Sequence, residues 1–189
     1  YTPWFIFVKV INKLTNMKLI LILSLLLLFS IPAFAQKTSS DSTKAKEGIA
    51  VGEIGGASST DIKSGKSSFG YSLSVEATPI EDWLEVELGV SPTYAAHYRE
   101  TDVDFLVKKP WTFSSRLEFM LGIGPEWAHT TEYGTTTNSW SGELALDFMY
   151  WPFKKHQFGF YGEPAYVYGF NAAHEQSIEM SAGLLINIP

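Results

Sequence analysis

Residues 117–127 read LEFMLGIGPEW. Leu117, Phe119, Leu121, Ile123, Pro125 and Trp127 fall on one side of a period-two pattern. Arg116, Glu118, Met120, Gly122, Gly124 and Glu126 fall on the other. A helix would scatter these apolar positions around its axis, whereas a strand sends alternate residues to opposite faces. One face is therefore continuously apolar and ends in tryptophan. Tilted within a sheet, the row covers about 25 Å, the height of the band that a transmembrane β-barrel presents to lipid.

The same alternation recurs along the chain. It marks eight segments, roughly 48–57, 68–79, 83–97, 101–109, 114–130, 139–151, 157–170 and 175–188, separated by Gly, Ser, Asn and Pro clusters. Trp140, Leu144, Leu146, Phe148 and Tyr150 oppose Ser141, Glu143, Ala145, Asp147 and Met149. Phe158, Phe160, Pro164, Tyr166 and Tyr168 oppose Tyr161, Glu163, Ala165 and Val167. Leu84, Val86, Leu88, Val90 and Tyr94 oppose Glu85, Glu87, Ser91 and Thr93. Ile178, Met180, Ala182, Leu184, Ile186 and Ile188 form a last apolar row, which predicts a strand that closes the barrel. The first segment breaks phase between Val51 and Ile54, and a bulge near Gly52 would restore it.

Two further features bear on topology. GVSPTY (89–94), GIGPEW (122–127) and YGEPAY (161–166) each set a proline two residues before an aromatic. Proline cannot donate to a ladder, so bulges are expected at these positions. The connections 80–82 and 152–156 are short, while 58–67 and 131–138 are rich in Ser, Thr and Gly and read as longer loops. Short turns at one end and longer loops at the other describe an outer-membrane barrel with its termini in the periplasm.

Ahead of the barrel, Met17-Lys18 opens an apolar run from Leu19 to Phe29, followed by Ala33-Phe34-Ala35. This is the pattern of a secretory signal peptide cleaved before Gln36, with an uncleaved anchor as the alternative. The expected organisation is then 1–16 upstream of the true start, 17–35 signal peptide, 36–46 flexible periplasmic leader and 47–189 barrel. Loss of the three lysines before Gln36 takes the formal charge from -6 to about -9. No basic patch survives, which excludes nucleic acid as a natural partner. With no cysteine, disulfides, thiolate metal sites and a cysteine nucleophile are also excluded.

Eight alternating strands fit two barrels. A soluble lipocalin-like barrel turns its apolar face inward to a ligand; a membrane barrel turns it outward to lipid. Aromatics at the ends of the apolar rows favour the membrane. Trp127, Trp140, Tyr94, Tyr166 and Tyr168 form one belt, and Tyr150 and Phe158 the other. The polar faces are rich in Gly, Ser and Ala and poor in Lys, which suits a narrow interior better than a water-facing exterior.

The signal peptide, the eight alternating strands and the terminal strand resemble the small outer-membrane β-barrel superfamily, the class of the OmpA and OmpX barrels. RLEFMLGIGPEW, ELALDFMYWPF and HEQSIEMSAGLLINIP also resemble a bacterial family of outer-membrane proteins of unassigned role. The resemblance covers about Gly48 to Pro189. It implies an all-β, eight-stranded antiparallel up-and-down transmembrane β-barrel in the outer membrane. It also implies outer-membrane lipid and the outer-membrane assembly machinery as partners, and a monomer.

The inward set contains Glu53, Glu76, Glu85, Glu87, Glu118, Glu126, Glu143, Asp147, Glu163 and Glu179, against Arg116, Lys108 and Arg99. So many carboxylates in a narrow lumen cannot all ionise cheaply. The expected arrangement is a hydrated charge network centred on Arg116, with Glu118, Glu85, Glu87, Glu143, Asp147, Glu163 and Glu179 around it. A cation site or cation-selective path is the alternative. Three histidines, His97, His129 and His174, fall near the predicted outer rim, and His156 in a periplasmic turn. A rim histidine acting as general base beside a hydroxyl would make a lipid A-modifying enzyme. The chain has no phosphate-binding glycine loop, metal motif or serine elbow, so no catalytic, cofactor or metal residues are assigned. The reading is a non-enzymatic barrel with a structural or surface-interaction role.

Overall fold

The computed structural model describes residues 50–153 and 157–188. The expected upstream segment, signal peptide, leader and His156 lie outside the described residues. The strands are β1 (Ala50–Asp61), β2 (Ser67–Ile80), β3 (Leu84–Ala95), β4 (Tyr98–Ser114), β5 (Leu117–Glu132), β6 (Thr135–Tyr150), β7 (Phe158–Gly169) and β8 (Gln176–Ile188). Each pairs antiparallel with the next, and β8 pairs with β1 to close the barrel. The start of β1 and the end of β8 share one end, here the near end, with the β2–β3, β4–β5 and β6–β7 connections.

The alternation read from the sequence is the alternation observed. Leu88, Ile123, Leu144, Leu146, Phe148, Phe160, Met180, Leu184 and Ile186 face out and are exposed. Glu85, Glu87, Met120, Glu126, Glu143, Asp147 and Leu185 face in and are buried. An apolar exterior around a charged interior inverts the soluble pattern and is the arrangement that lipid requires.

Three local expectations are corrected. First, no bulge occurs at Gly52: β1 runs in unbroken register with β2 and β8. Val51 points inward and packs against a buried apolar cluster, so it never left phase. Second, the prolines are not reconciled by register-shifting bulges. Across β2–β3 the pairing passes from Gly70↔Thr93 to Leu73↔Val90, across β4–β5 from Asp104↔Glu126 to Val107↔Ile123, and across β6–β7 from Ala145↔Ala165 to Phe148↔Gly162. Each ladder skips two rungs beside Pro92, Pro125 or Pro164 and resumes in the same register. The missing N–H interrupts pairing without adding a residue. The register shifts fall instead at Ala77/Ile80 and Thr112/Ser114, both toward the near end.

Third, the stretches expected as longer loops are mostly strand. β1 continues to Asp61, and β5 and β6 are joined by Tyr133 and Gly134 alone. Threonine is β-branched and fits a ladder. Here hydroxyl pairs line the extensions, Thr60 with Ser67 at 2.9 Å and Thr131 with Thr136 at 3.2 Å. Both turn residues have positive φ, 48° at Tyr133 and 81° at Gly134, the conformation of a tight hairpin turn.

Candidate functional site

The lumen is built in layers. At the near end Met120, Met149, Trp151, Tyr161 and Leu185 form a buried apolar floor, with Val51 against it. Above it stands Lys108, which β4 projects inward and which is 1% exposed. Its pairing partner across the ladder is Gly122, where a Cβ would lie 3.0 Å from Lys108 Cγ. The glycine makes room for the lysine stem.

Lys108 Nζ donates to Asp147 Oδ2 at 3.0 Å and to Glu163 Oε2 at 2.7 Å. It also pairs with Glu87, and with Glu76 Oε2 at 3.4 Å. Four strands besides β4 thus converge on one ammonium through β2, β3, β6 and β7. Burying a charge is costly unless partners replace its water, and here carboxylates replace it on several sides. Glu53 completes the layer and accepts a hydrogen bond from Ser74 at 2.8 Å. Oxygens of Glu53, Glu76, Glu87 and Asp147 all lie within 4.8 Å of one another, a spacing that could hold a metal ion. That place is served by the lysine ammonium.

Toward the far end the lumen changes character. A cavity of about 40 Å³ is lined by Glu53, Asp102, Asp104, Glu126, Glu143 and Glu179, among others. Hydroxyls supply several of its hydrogen bonds. Ser141 donates to Glu126 at 2.7 Å, Ser59 to Glu179 at 3.0 Å and, higher up, Thr130 to Glu100 at 2.6 Å. At the far end of β1, where the chain enters the β1–β2 turn, Asp61 accepts the backbone N–H of Ser64. A hydrogen bond from the Ser64 side chain, and after it that backbone bond, hold its carboxyl below the ordinary value.

Of the predicted network, Glu87, Asp147 and Glu163 meet at one cation, while Glu85 and Glu143 are buried elsewhere in the lumen. Glu179 is half-buried beside the cavity, and Glu118 half-buried toward the near end. Arg116 is a correction: it lies exposed between β4 and β5, and Lys108 takes the centre assigned to it. The strand begins at Leu117, so Arg116 belongs to the turn and its long side chain stays in water. Arg99 is also outside, 5.7 Å from the ring of Tyr94. Asp102 and Asp104 were missed. Their signal was present, since Val103, Phe105 and Val107 alternate with Asp102, Asp104 and Lys108.

The predicted belt residues all lie on the outward face. Trp127 pairs directly with Trp140 toward the far end, and Tyr150 pairs with Leu117 at the near end. Tyr94, Tyr168 and Phe158 are exposed, and Tyr166 is half-buried with its hydroxyl on Gln176 at 2.8 Å. Near-end rings also meet, Trp111 stacked on Phe119 at 5.6 Å and Phe119 tilted against Phe148 at 5.1 Å. The rim histidines are dispersed. His97 stacks on Tyr133, His129 bonds Asn138 at 2.7 Å, and His174 bonds the Tyr168 hydroxyl at 3.1 Å.

A closed antiparallel eight-strand sheet, an apolar girdled exterior and a side-chain-filled polar interior define the fold of the small outer-membrane β-barrels. Solved structures of that class are similar to this chain. Neisserial surface protein A matches with a TM-score of 0.58 at 16% identity, over 74% of this chain and 97% of its own. The N-terminal barrel of Pseudomonas aeruginosa OprF matches with 0.56 at 13% identity, over 75% and 100%. Ail, the attachment invasion locus protein of Yersinia pestis, matches with 0.50 at 15% identity, over 74% and 98%. No protein-family model and no curated protein matches the chain.

Proposed function

We propose that this chain is a non-enzymatic barrel of the bacterial outer membrane, exported by a cleaved signal peptide, whose closed acidic lumen is structural. Its work is then done at the surface, as a structural or surface-interaction protein. The observation that carries this reading is the Lys108 carboxylate clamp standing on an apolar floor. A lumen filled in this way leaves no wide path from end to end. The surface role draws support from the similar structures, one a neisserial surface protein and one an attachment and invasion protein by name. In this reading lipid contacts the girdled face, the assembly machinery inserts the strands, and the barrel acts as a monomer.

Cell fractionation tests the location. The expected result is mature protein starting at Gln36, recovered from the outer membrane only with detergent, with a gel mobility that changes on boiling. Recovery as a soluble periplasmic protein without detergent would overturn the reading.

A further inference from the structure

We propose that the outer half of the lumen is a binding site for a hard divalent cation of the calcium class, held by Asp102, Asp104, Glu126, Glu143 and Glu179. These carboxylates line one cavity of about 40 Å³. That space suits an ion with a few waters, since one water needs roughly 10–15 Å³ on this measure. Asp102 is 3% exposed, yet among the described residues its Oδ2 has no hydrogen-bond partner, and Asp104 Oδ2 is likewise unpartnered. A buried carboxylate oxygen without a donor is costly, so atoms of this kind mark a place where a ligand completes the structure.

The layer below shows a cation in place, although Glu53 Oε1 and Asp147 Oδ1 there also lack a hydrogen-bond partner among the described residues. There a comparable set of carboxylates surrounds the Lys108 ammonium. Among the described residues no second lysine or arginine reaches the outer cavity: Arg99 lies over Tyr94, and Lys66 pairs with Glu132 at 3.2 Å in the turns above. The donors are carboxylates, with the hydroxyls of Ser59 and Ser91 also on the wall. An all-oxygen set without imidazole or thiolate favours calcium or magnesium over transition metals. Acid on several strands, with room for retained water, fits the flexible coordination of calcium better than the strict octahedron of magnesium.

The inference is independent of whether the lumen conducts, because it concerns occupancy alone. Calcium is titrated into the refolded mature chain in a zwitterionic detergent, followed by calorimetry, and the unfolding temperature is compared in EDTA and in calcium. The expected result is saturable one-to-one binding and a higher unfolding temperature in calcium. Asp102→Asn and Glu126→Gln should each weaken binding about tenfold or more, while Glu175→Gln in the β7–β8 loop leaves it unchanged. If one variant fails to fold, the other reads the site. No saturable heat and no change in unfolding temperature up to about 10 mM calcium, well above the range of weak extracellular sites, would overturn the proposal. Undiminished binding in both lumen variants would overturn it equally.

Discussion

The two halves of the lumen solve the same electrostatic problem with different means. Near the floor, Glu76, Glu87, Asp147 and Glu163 share one buried ammonium. Toward the far end, Glu126 and Glu179 rely on serine hydroxyls, and no cation faces Asp102 and Asp104, whose Oδ2 atoms, like Glu53 Oε1 and Asp147 Oδ1 below, lack a hydrogen-bond partner among the described residues. The first half is cross-linked by charge across five strands, and the second is tied mostly between neighbours. A protein interior that must hold acid can therefore be made rigid by a single well-placed cation. Without one it depends on water, protons or bound ions.

The largest effect should come from removing that cation. Lys108→Met is expected to cost about 3–5 kcal/mol, because it leaves several buried carboxylates facing one another. Urea unfolding of the refolded barrel in lipid vesicles measures it. A loss no greater than that of a surface change would erase the distinction between the two halves.

The lipid face comes next. Leu121 pairs with Leu146 on the outward side. Leu121→Arg or Leu146→Arg should cost about 2–4 kcal/mol near the bilayer midplane, measured the same way. A spin label at 121 that proves open to water would mean that the faces are inverted.

A smaller effect sharpens the packing account of the clamp. At Gly122 a Cβ would press on Lys108 Cγ at 3.0 Å, so Gly122→Ala must displace the lysine stem. The expected loss is about 1–3 kcal/mol, the usual cost of overpacking. In a Lys108→Ala background, which lacks the crowding Cγ, the same change should cost less. Equal losses in both backgrounds would show that the two sites are uncoupled.

The smallest effect separates the observed cation from the expected one. Arg116 lies exposed between β4 and β5, so Arg116→Ala should stay within about 0.5 kcal/mol of the parent. Thermal unfolding in detergent is sufficient to check it. A loss comparable to that of Lys108→Met would restore Arg116 as a lumen residue.

These contrasts show which parts of the molecule could be read from residue order. Period two is a local property, so the eight strands, their faces and the aromatic belts follow from Leu117–Trp127 and its counterparts. Which cation stands at the centre is not local. Arg116 continues the inward phase of β5 on paper, but that strand begins one residue later, and strand ends are where pattern is weakest. Lys108 is followed by Lys109, and their separation into an inner and an outer lysine appears only once β4 is phased by Val103, Phe105 and Val107. The prolines misled for another reason. They announce a broken ladder, but whether the break adds a residue depends on the neighbouring strand. The threonine-rich hairpins read as loops because their composition is polar, although Thr60, Thr131 and Thr136 are well suited to strands.

The central claim is that the lumen is closed by the Lys108 clamp and its apolar floor. Conductance of the purified wild-type barrel in planar bilayers tests it most directly. The account predicts bilayers that remain silent after insertion has been confirmed by heat-dependent gel mobility. Steady cation-selective conductance, reduced by Glu87→Gln or Glu143→Gln, would contradict it.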